Sequence, residues 1–435
     1  MKRTFYKSLL KWKSDPSRKP LILEGARQVG KTWILREFGR NEYKNTVYIN
    51  CHNNKFTDKL FQKDFDTARI LREIEAVTSQ RIKAGQTLVI LDEIQEAPQG
   101  VASLKYFCEN ARDIHVVVAG SLLGVTHRPD ESYPVGKVDV LKLYPMTFEE
   151  FLVAMGKDNL AEMVASEDWS SLATLDSVLL ELLRQYYYVG GMPEVVLDYV
   201  EKGDIFNVRK LQNRIISAYA NDMAKHAGGD TERIRMVWNS IPAQLARENK
   251  KFIYGAVKSG GRARELEGAI QWLVDAGLVY KIHRCSKPEE PLRFYEDFAA
   301  FKLYMLDVGL LGALANAKAS VMLANNDVFK EFKGAFSENY VLQQLKASVD
   351  CDIYYYSKDN SSVEIDFLVQ TEKRVIPIEV KAEENVKSKS LARFVKEDFA
   401  KQNFKGLRFS MKPYIDQDWM ENVPLYCVEH FVANE

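Results

Sequence analysis

The chain has 435 residues, 46% of them hydrophobic and 28% charged, with 60 Lys and Arg against 60 Asp and Glu. This length exceeds one ordinary core and implies two to four domains. The zero net charge excludes a whole-molecule field that would gather nucleic acid, so any such partner must be held by a local patch. No run of eighteen apolar residues occurs, and the most apolar stretch, 298–315, is broken by Lys302 and Asp307. The basic N-terminus lacks an apolar segment behind it, and the five cysteines are scattered without a C-x-x-C pair. The expectation is a cytoplasmic protein with reduced cysteines and no membrane partner.

The first informative element is the apolar run Leu21-Ile22-Leu23, followed by Gly25-Ala26-Arg27-Gln28-Val29-Gly30-Lys31-Thr32 and a helical pattern from Trp33 to Phe38. Strand, glycine-rich loop and helix in that order form a phosphate-binding loop. Its backbone N–H groups and the positive end of the helix face phosphate oxygens. Lys31 can reach the β- and γ-phosphates, and Thr32 can offer a hydroxyl to Mg²⁺. The expected nucleotide contacts are Gly25, Gln28, Val29, Gly30, Lys31, Thr32 and Trp33.

Strands are expected at 21–25, 46–51, 87–92, 115–120 and 138–144, and helices at 31–39, 66–83, 99–112 and 147–155. This alternation argues an α/β domain with a parallel sheet. The run Thr87-Leu-Val-Ile-Leu-Asp-Glu-Ile94 suits a strand buried on both faces. Asp92 stands at its carboxyl end, where such sheets bind ligands, and can hold Mg²⁺. Glu93 is placed to polarise an attacking water. Ser121 ends the next strand and could sense the γ-phosphate. Residues 147–226 read as helix-rich, with Gly190-Gly191-Met192-Pro193 as a breaker, and such a helical cap could close over a nucleotide.

Residues 232–295 change character. Two helix patterns, Arg233–Arg247 and Arg264–Ala276, are followed by a strand at 278–284 and a return strand at 292–295. Helices followed by a hairpin is the order of a winged helix. From 233 to 293 there are twelve Lys or Arg against six Asp or Glu. That local excess fits DNA held through Arg262, Arg264, Lys281 and Arg284, or a solvated protein-binding surface.

The last part pairs a strand at 363–369 with one at 375–381 across a turn at 371–373. With a strand period of two, Asp366, Glu379 and Lys381 can converge on one face, and Glu338 on an upstream helix can add a third carboxylate. Carboxylates can hold Mg²⁺ or Mn²⁺, and a lysine beside them can stabilise charge on a phosphate. An exposed ion-pair ladder is the alternative.

In these motifs the chain resembles the prokaryotic AAA+ P-loop ATPases that join a winged-helix segment to a C-terminal domain of unknown function with a PD-(D/E)XK nuclease-like fold. The marks are Gly25–Thr32, Leu91-Asp-Glu-Ile-Gln95, Gly120-Ser121, Leu143-Tyr-Pro-Met-Thr-Phe-Glu-Glu-Phe151, Gly190-Gly-Met-Pro193, Gly277-Leu278, Phe336-Ser-Glu-Asn339, Glu364-Ile-Asp-Phe367 and Ile378-Glu-Val-Lys381. The resemblance implies Walker A at Gly25, Gly30, Lys31 and Thr32, Walker B at Asp92 and Glu93, sensor 1 at Ser121, and nuclease-type positions at Glu338, Asp366, Glu379 and Lys381. Gly136-Lys137 stands where many relatives show Gly-Arg, and lysine cannot give arginine's planar two-pronged contact. No sensor-2 arginine stands out in the cap.

The expected architecture is α/β multidomain: a P-loop AAA+ parallel sheet at 1–146, a helical lid at 147–228, a winged helix at 229–300, and a restriction-endonuclease-like α/β domain at 301–435. The expected function is ATP hydrolysis with Mg²⁺, on or near DNA, with a metal-dependent nuclease in the last domain. The alternative is an ATP-gated switch that binds DNA or a protein, the last domain serving as a docking platform. Self-association is a further candidate interaction.

Overall fold

The computed structural model describes residues 2–120, 133–226, 228–247, 250–323, 330–358, 363–382 and 388–434. Contacts divide the chain into two compact units: Lys2–Tyr144 with Asp275–Gly277, and Pro145–Val274 with Leu278–Glu435.

The first unit is built on five parallel strands, β1 (Leu21–Glu24), β2 (Asn45–Asn50), β3 (Thr87–Asp92), β4 (His115–Ala119) and β5 (Asp139–Lys142), in the order β2-β3-β4-β1-β5. β3 and β4 are buried throughout, as their continuous apolar runs require of strands covered on both faces. Alternate residues Ile22, Val89, Leu91, Val116 and Val118 share a core with Ile70, Ile74, Leu104 and Phe107 from the helices Thr67–Thr78 and Gly100–Asn110. The expected helix over 66–83 stops at Thr78, where Ser79 turns left-handed. β1 lies between β4 and β5, so the loop that leaves it opens at the carboxyl edge where the strand order reverses.

The second unit begins with helices Phe148–Ala154, Asp158–Ala165, Trp169–Val189, Pro193–Lys202 and Ile205–His226. The first is started by a capping box: Thr147 Oγ1 accepts from the Glu150 N–H and the Glu150 carboxylate accepts from the Thr147 N–H. The breaker at 190–193 forms a buried junction. Gly191 donates its N–H to Asp307 at 2.6 Å, and its carbonyl accepts from the Met146 N–H at 2.7 Å. A Cβ at Gly191 would stand 2.1 Å from the Met146 oxygen, so no larger residue fits. Asp307 also accepts from Leu310 N–H and Gln343, and Gln344 accepts from the Phe148 N–H.

An eight-stranded sheet completes this unit. Its strands are β6 (Val279–Cys285), β7 (Glu296–Met305), β8 (Ile353–Ser357), β9 (Glu364–Gln370), β10 (Val375–Lys381), β11 (Gly406–Ser410), β12 (Ile415–Gln417) and β13 (Met420–Pro424), in the order β12-β13-β11-β10-β9-β8-β6-β7. The helix Lys330–Ser348 packs against it, and the helix Val428–Asn434 ends the chain.

The hairpin region and the domain grouping differ from expectation. The return strand expected at 292–295 is a short 3₁₀ turn; the strand is β7, which pairs with β6 from Val279–Met305 to Cys285–Glu296. That hairpin does not close off a separate winged helix. β6 pairs with β8, and Cys285 and Leu292 are buried with Tyr354, Tyr356, Ile365 and Phe394 of the C-terminal part. A hairpin with an apolar face must cover it, and here the core shared with Leu391, Phe394 and Val395 does so. The boundary drawn between residues 300 and 301 therefore falls inside β7. Likewise, the helices expected as a lid at 147–228 group with the C-terminal half.

Candidate nucleotide site and the C-terminal carboxylate cluster

The loop after β1 leads directly into the helix Lys31–Glu42. Gly25 (φ 151°) and Gly30 (φ 97°) take conformations that side chains disfavour, and a Cβ at Gly25 would sit 2.4 Å from the Leu143 carbonyl oxygen. Lys31 is buried and donates to the carbonyls of Gly25 at 2.8 Å and Ala26 at 2.9 Å. Burial pulls its ammonium down to a pKa of about 8, against the pull of Glu93 and Asp92. Gln28 and Trp33 are exposed on the loop and first helical turn, whereas Val29 is fully buried under it.

Asp92 ends β3 as expected. Its Oδ2 accepts from Thr32 Oγ1 at 2.7 Å and from the Tyr48 hydroxyl at 2.9 Å. Burial, then the bond to Asp92, pushes the Tyr48 hydroxyl up to about 12, so it stays a donor. The Arg36 guanidinium stacks 4.0 Å from the Tyr48 ring centre. Glu93 is half-buried with a left-handed backbone (φ 52°), and the Gln95 amide donates to its carboxylate. Thr32 and Asp92 thus bring oxygen donors together in a form that fits Mg²⁺. Ser121 lies outside the described residues, and Lys137 is ion-paired with Glu109.

Sequence reasoning missed Arg3. It donates to the Val29 carbonyl at 3.1 Å and to the Tyr144 carbonyl at 2.7 Å, holding the phosphate loop from behind. Tyr48 and Gln95 were missed as well. A lone arginine near the N-terminus carries no sequence signal for such a contact.

In the second unit the expected hairpin of β9 and β10 forms, with Ile378 opposite Phe367. Asp366 accepts from the Val380 N–H at 2.8 Å, and Lys381 pairs with Glu379 at 2.8 Å. Glu338, from the helix Lys330–Ser348, is close enough to Asp366 to repel its charge. The four expected residues therefore gather in one region. Lysines absent from that expectation gather with them. Lys250 forms an ion pair with Glu338, which also accepts from Tyr304 at 3.1 Å. Lys302, fully buried, pairs with Glu364 at 2.5 Å and lies 4.8 Å from the Tyr355 ring centre. Burial works to raise the Glu338 carboxyl, but Lys250 and Lys302 outweigh it and hold the group below its ordinary range. Asp366 is pushed up to about 7 by burial and by Glu338. Among the described residues, no three ligand atoms of Glu338, Asp366 and Glu379 lie within 4.8 Å of one another. Glu338 and Glu379 are paired with ammonium groups and Asp366 favours its proton, so these residues do not fit a preformed Mg²⁺ or Mn²⁺ centre.

Of the four basic residues expected to hold DNA, Arg262 and Arg264 are exposed at the start of the helix Ala263–Asp275. Lys281 is paired with Glu267 at 3.2 Å, and Arg284 with Asp297 at 2.7 Å.

Three family models match parts of the chain. Residues 17–152 match an AAA domain, residues 180–321 a domain of unknown function (DUF8612), and residues 333–428 a second domain of unknown function (DUF4143). The second match spans both strands of the β6–β7 hairpin. No curated protein matches the sequence. Among solved structures, the Thermotoga maritima RuvB Holliday junction branch migration motor is similar at 16% identity and a TM-score of 0.28, over 64% of this chain and 89% of that one. A Signal Transduction ATPase with Numerous Domains with a tetratricopeptide repeat sensor, from Pyrococcus horikoshii, is similar at 12% identity and a TM-score of 0.28, over 80% of this chain; this chain covers 46% of it. Both likenesses are faint, and the assignment rests on the family match and the loop geometry. The first unit carries an AAA+ P-loop ATPase domain, and two domains of unknown function follow it in the chain.

Proposed function

We propose that the chain is an ATP-driven switch: it binds ATP with Mg²⁺ through residues 25–33 and 92, hydrolyses it with Glu93 as general base, and uses its second unit to hold a partner. The observation that carries the first part is the meeting of Thr32 Oγ1 with Asp92 Oδ2 at 2.7 Å beside a buried Lys31 bonded to two neutral carbonyls.

Bound Mg²⁺ would neutralise charge on the phosphates, with Thr32 and Asp92 as its protein ligands. Lys31 would exchange its two carbonyl bonds for the β- and γ-phosphates, where an anion favours its charged form. Glu93, oriented by the Gln95 amide, would take the proton of the attacking water. Gln28 and Trp33, exposed at the loop, are placed to contact the nucleotide, and Val29 supports the loop from beneath.

DNA is the partner favoured for the second unit, through Arg262 and Arg264, which are exposed. Reversing both to Glu should weaken DNA binding across sequences and flatten its salt dependence. Unchanged affinity and salt slope would point to a protein partner or to self-association. The C-terminal cluster serves the platform reading better than the nuclease one, because Lys250 and Lys302 already neutralise its carboxylates.

One experiment tests both parts. Pure protein is given ATP, Mg²⁺ or Mn²⁺, and linear, circular and branched DNA, and phosphate release and strand cleavage are read together. ATP hydrolysis without cleavage is the expected result. Cleavage lost in both Asp366→Ala and Lys381→Ala would restore the nuclease reading, and an absence of ATP turnover would overturn the ATPase.

A further inference from the structure

A second acidic cluster in the second unit is built without lysines. Glu149 and Glu150 lie on the helix Phe148–Ala154, and Glu429 and His430 on the helix Val428–Asn434. Glu150 is committed to the capping box with Thr147. The other three present one ligand atom each, all within 4.8 Å of one another. His430 Nε2 and Glu149 Oε2 form a hydrogen-bonded ion pair.

We infer that Glu149, Glu429 and His430 form a binding site for a divalent first-row cation of the zinc class. One imidazole nitrogen with two carboxylates is a donor set that such ions accept, and three protein ligands leave a fourth position for water. An independent observation points to an occupant. Glu429 Oε2 is buried and has no hydrogen-bond partner. An orphaned carboxylate oxygen is costly unless something meets it. The groups that act most strongly on Glu429 are Glu149, Glu150, Thr147 and His430, with no lysine or arginine among them. The Glu338 cluster, in the same unit, meets its negative charge with Lys250 and Lys302. Here the cation at hand is the His430 imidazolium, which is paired with Glu149 and leaves Glu429 Oε2 unmet.

A bound ion would take the place of the proton between His430 and Glu149 and would meet the charge of the Glu429 carboxylate. Tetrahedral zinc holds its ligand atoms about 3.3–3.5 Å apart, given bonds of about 2.0–2.1 Å. Small side-chain adjustments would bring the three atoms to that spacing. The ion would then staple the C-terminal helix to the helix that opens the second unit.

The test uses the full chain, stripped with chelator and free of nucleotide. Titration with Zn²⁺ in a calorimeter should show one saturable equivalent, and the melting temperature should rise on loading. Co²⁺ loading should give the visible bands of nitrogen–oxygen coordination. Sulfur-to-cobalt charge transfer would instead place the ion on a cysteine and overturn the assignment. Glu429→Gln and His430→Asn should each weaken binding by about 10–100-fold or more, as ligand-shell losses do. Asp366→Asn, in the other acidic cluster, should keep the equivalent. Unchanged affinity in both ligand variants, or the absence of saturable binding by the folded wild-type chain, would refute the site.

Discussion

The phosphate loop and the Glu338 cluster both set lysines beside carboxylates, and they differ in what the lysines are paired with. In the first unit, Lys31 sits near Asp92 and Glu93 but donates to the backbone carbonyls of Gly25 and Ala26. Asp92 is engaged by the hydroxyls of Thr32 and Tyr48. Every one of those bonds is to a neutral group, and such bonds exchange readily for a phosphate and its metal. In the second unit, Lys250 and Lys302 are ion-paired with the carboxylates Glu338 and Glu364 themselves. Ion pairs of this kind offset one another's charge, and removing one member strands the other. The same residue types therefore form an open, ligand-ready site in one unit and a self-neutralised one in the other.

The largest effect should come from Lys31→Ala. Loss of the charge-assisted phosphate contact should abolish tight ATP binding in a calorimeter, whereas Lys381→Ala should leave it intact. Normal nucleotide affinity in Lys31→Ala would remove the contrast altogether.

Glu93→Gln should keep ATP binding and slow steady-state phosphate release by about 10²–10⁴-fold, the usual worth of a general base. A rate close to wild type would show that another group activates the water. Asp92→Asn should instead shift the Mg²⁺ dependence of turnover.

Lys302→Met sharpens the other side. It leaves Glu364 and its acidic neighbours without their buried cation, so unfolding in denaturant should show a loss of about 3–5 kcal/mol. Full stability, with new Mn²⁺ binding in its place, would mean that the lysine had been guarding a metal centre.

The smallest effect concerns pH. The Asp366 carboxyl is raised to about 7 from an ordinary 3.8, through burial and then Glu338. Its folded form therefore prefers the proton. The stability it contributes is complete below its ordinary value and is lost as pH rises through about 7. Asp366→Asn should flatten that fall between pH 4 and 7 in thermal melts; an unchanged slope would assign the dependence to other groups.

Much of the first unit is legible from sequence. The expected strand at 87–92 coincides with β3, that at 46–51 is shifted by one residue from β2, and that at 115–120 runs one residue past β4. Buried parallel strands need continuous apolar runs, and a phosphate loop needs its glycines at fixed spacing, so local sequence carries both. The β9–β10 hairpin was legible for the same reason, through period two and a polar turn. The β6–β7 hairpin was only half legible. Sequence puts its return strand too early because Leu292–Tyr295 is apolar enough for a strand, yet it follows Pro291 and forms a turn. That the hairpin then joins the C-terminal sheet depends on pairing between Arg284 and Tyr355, seventy-one positions apart in sequence, which no local pattern encodes.

The sequence by itself determined the phosphate loop, the acidic pair at the end of β3, the alternation of the first unit, and the positions of Glu338, Asp366, Glu379 and Lys381 on their elements. These depend on residue type and short-range spacing, which the chain writes locally. Only the tertiary structure decided which charges meet. Arg3 reaching behind the loop, Tyr48 joining Thr32 on Asp92, Lys250 and Lys302 closing the C-terminal carboxylates, and Glu149 facing Glu429 and His430 are all contacts across long sequence separation. Electrostatic outcome depends on distance and burial in space, and a one-dimensional pattern specifies neither.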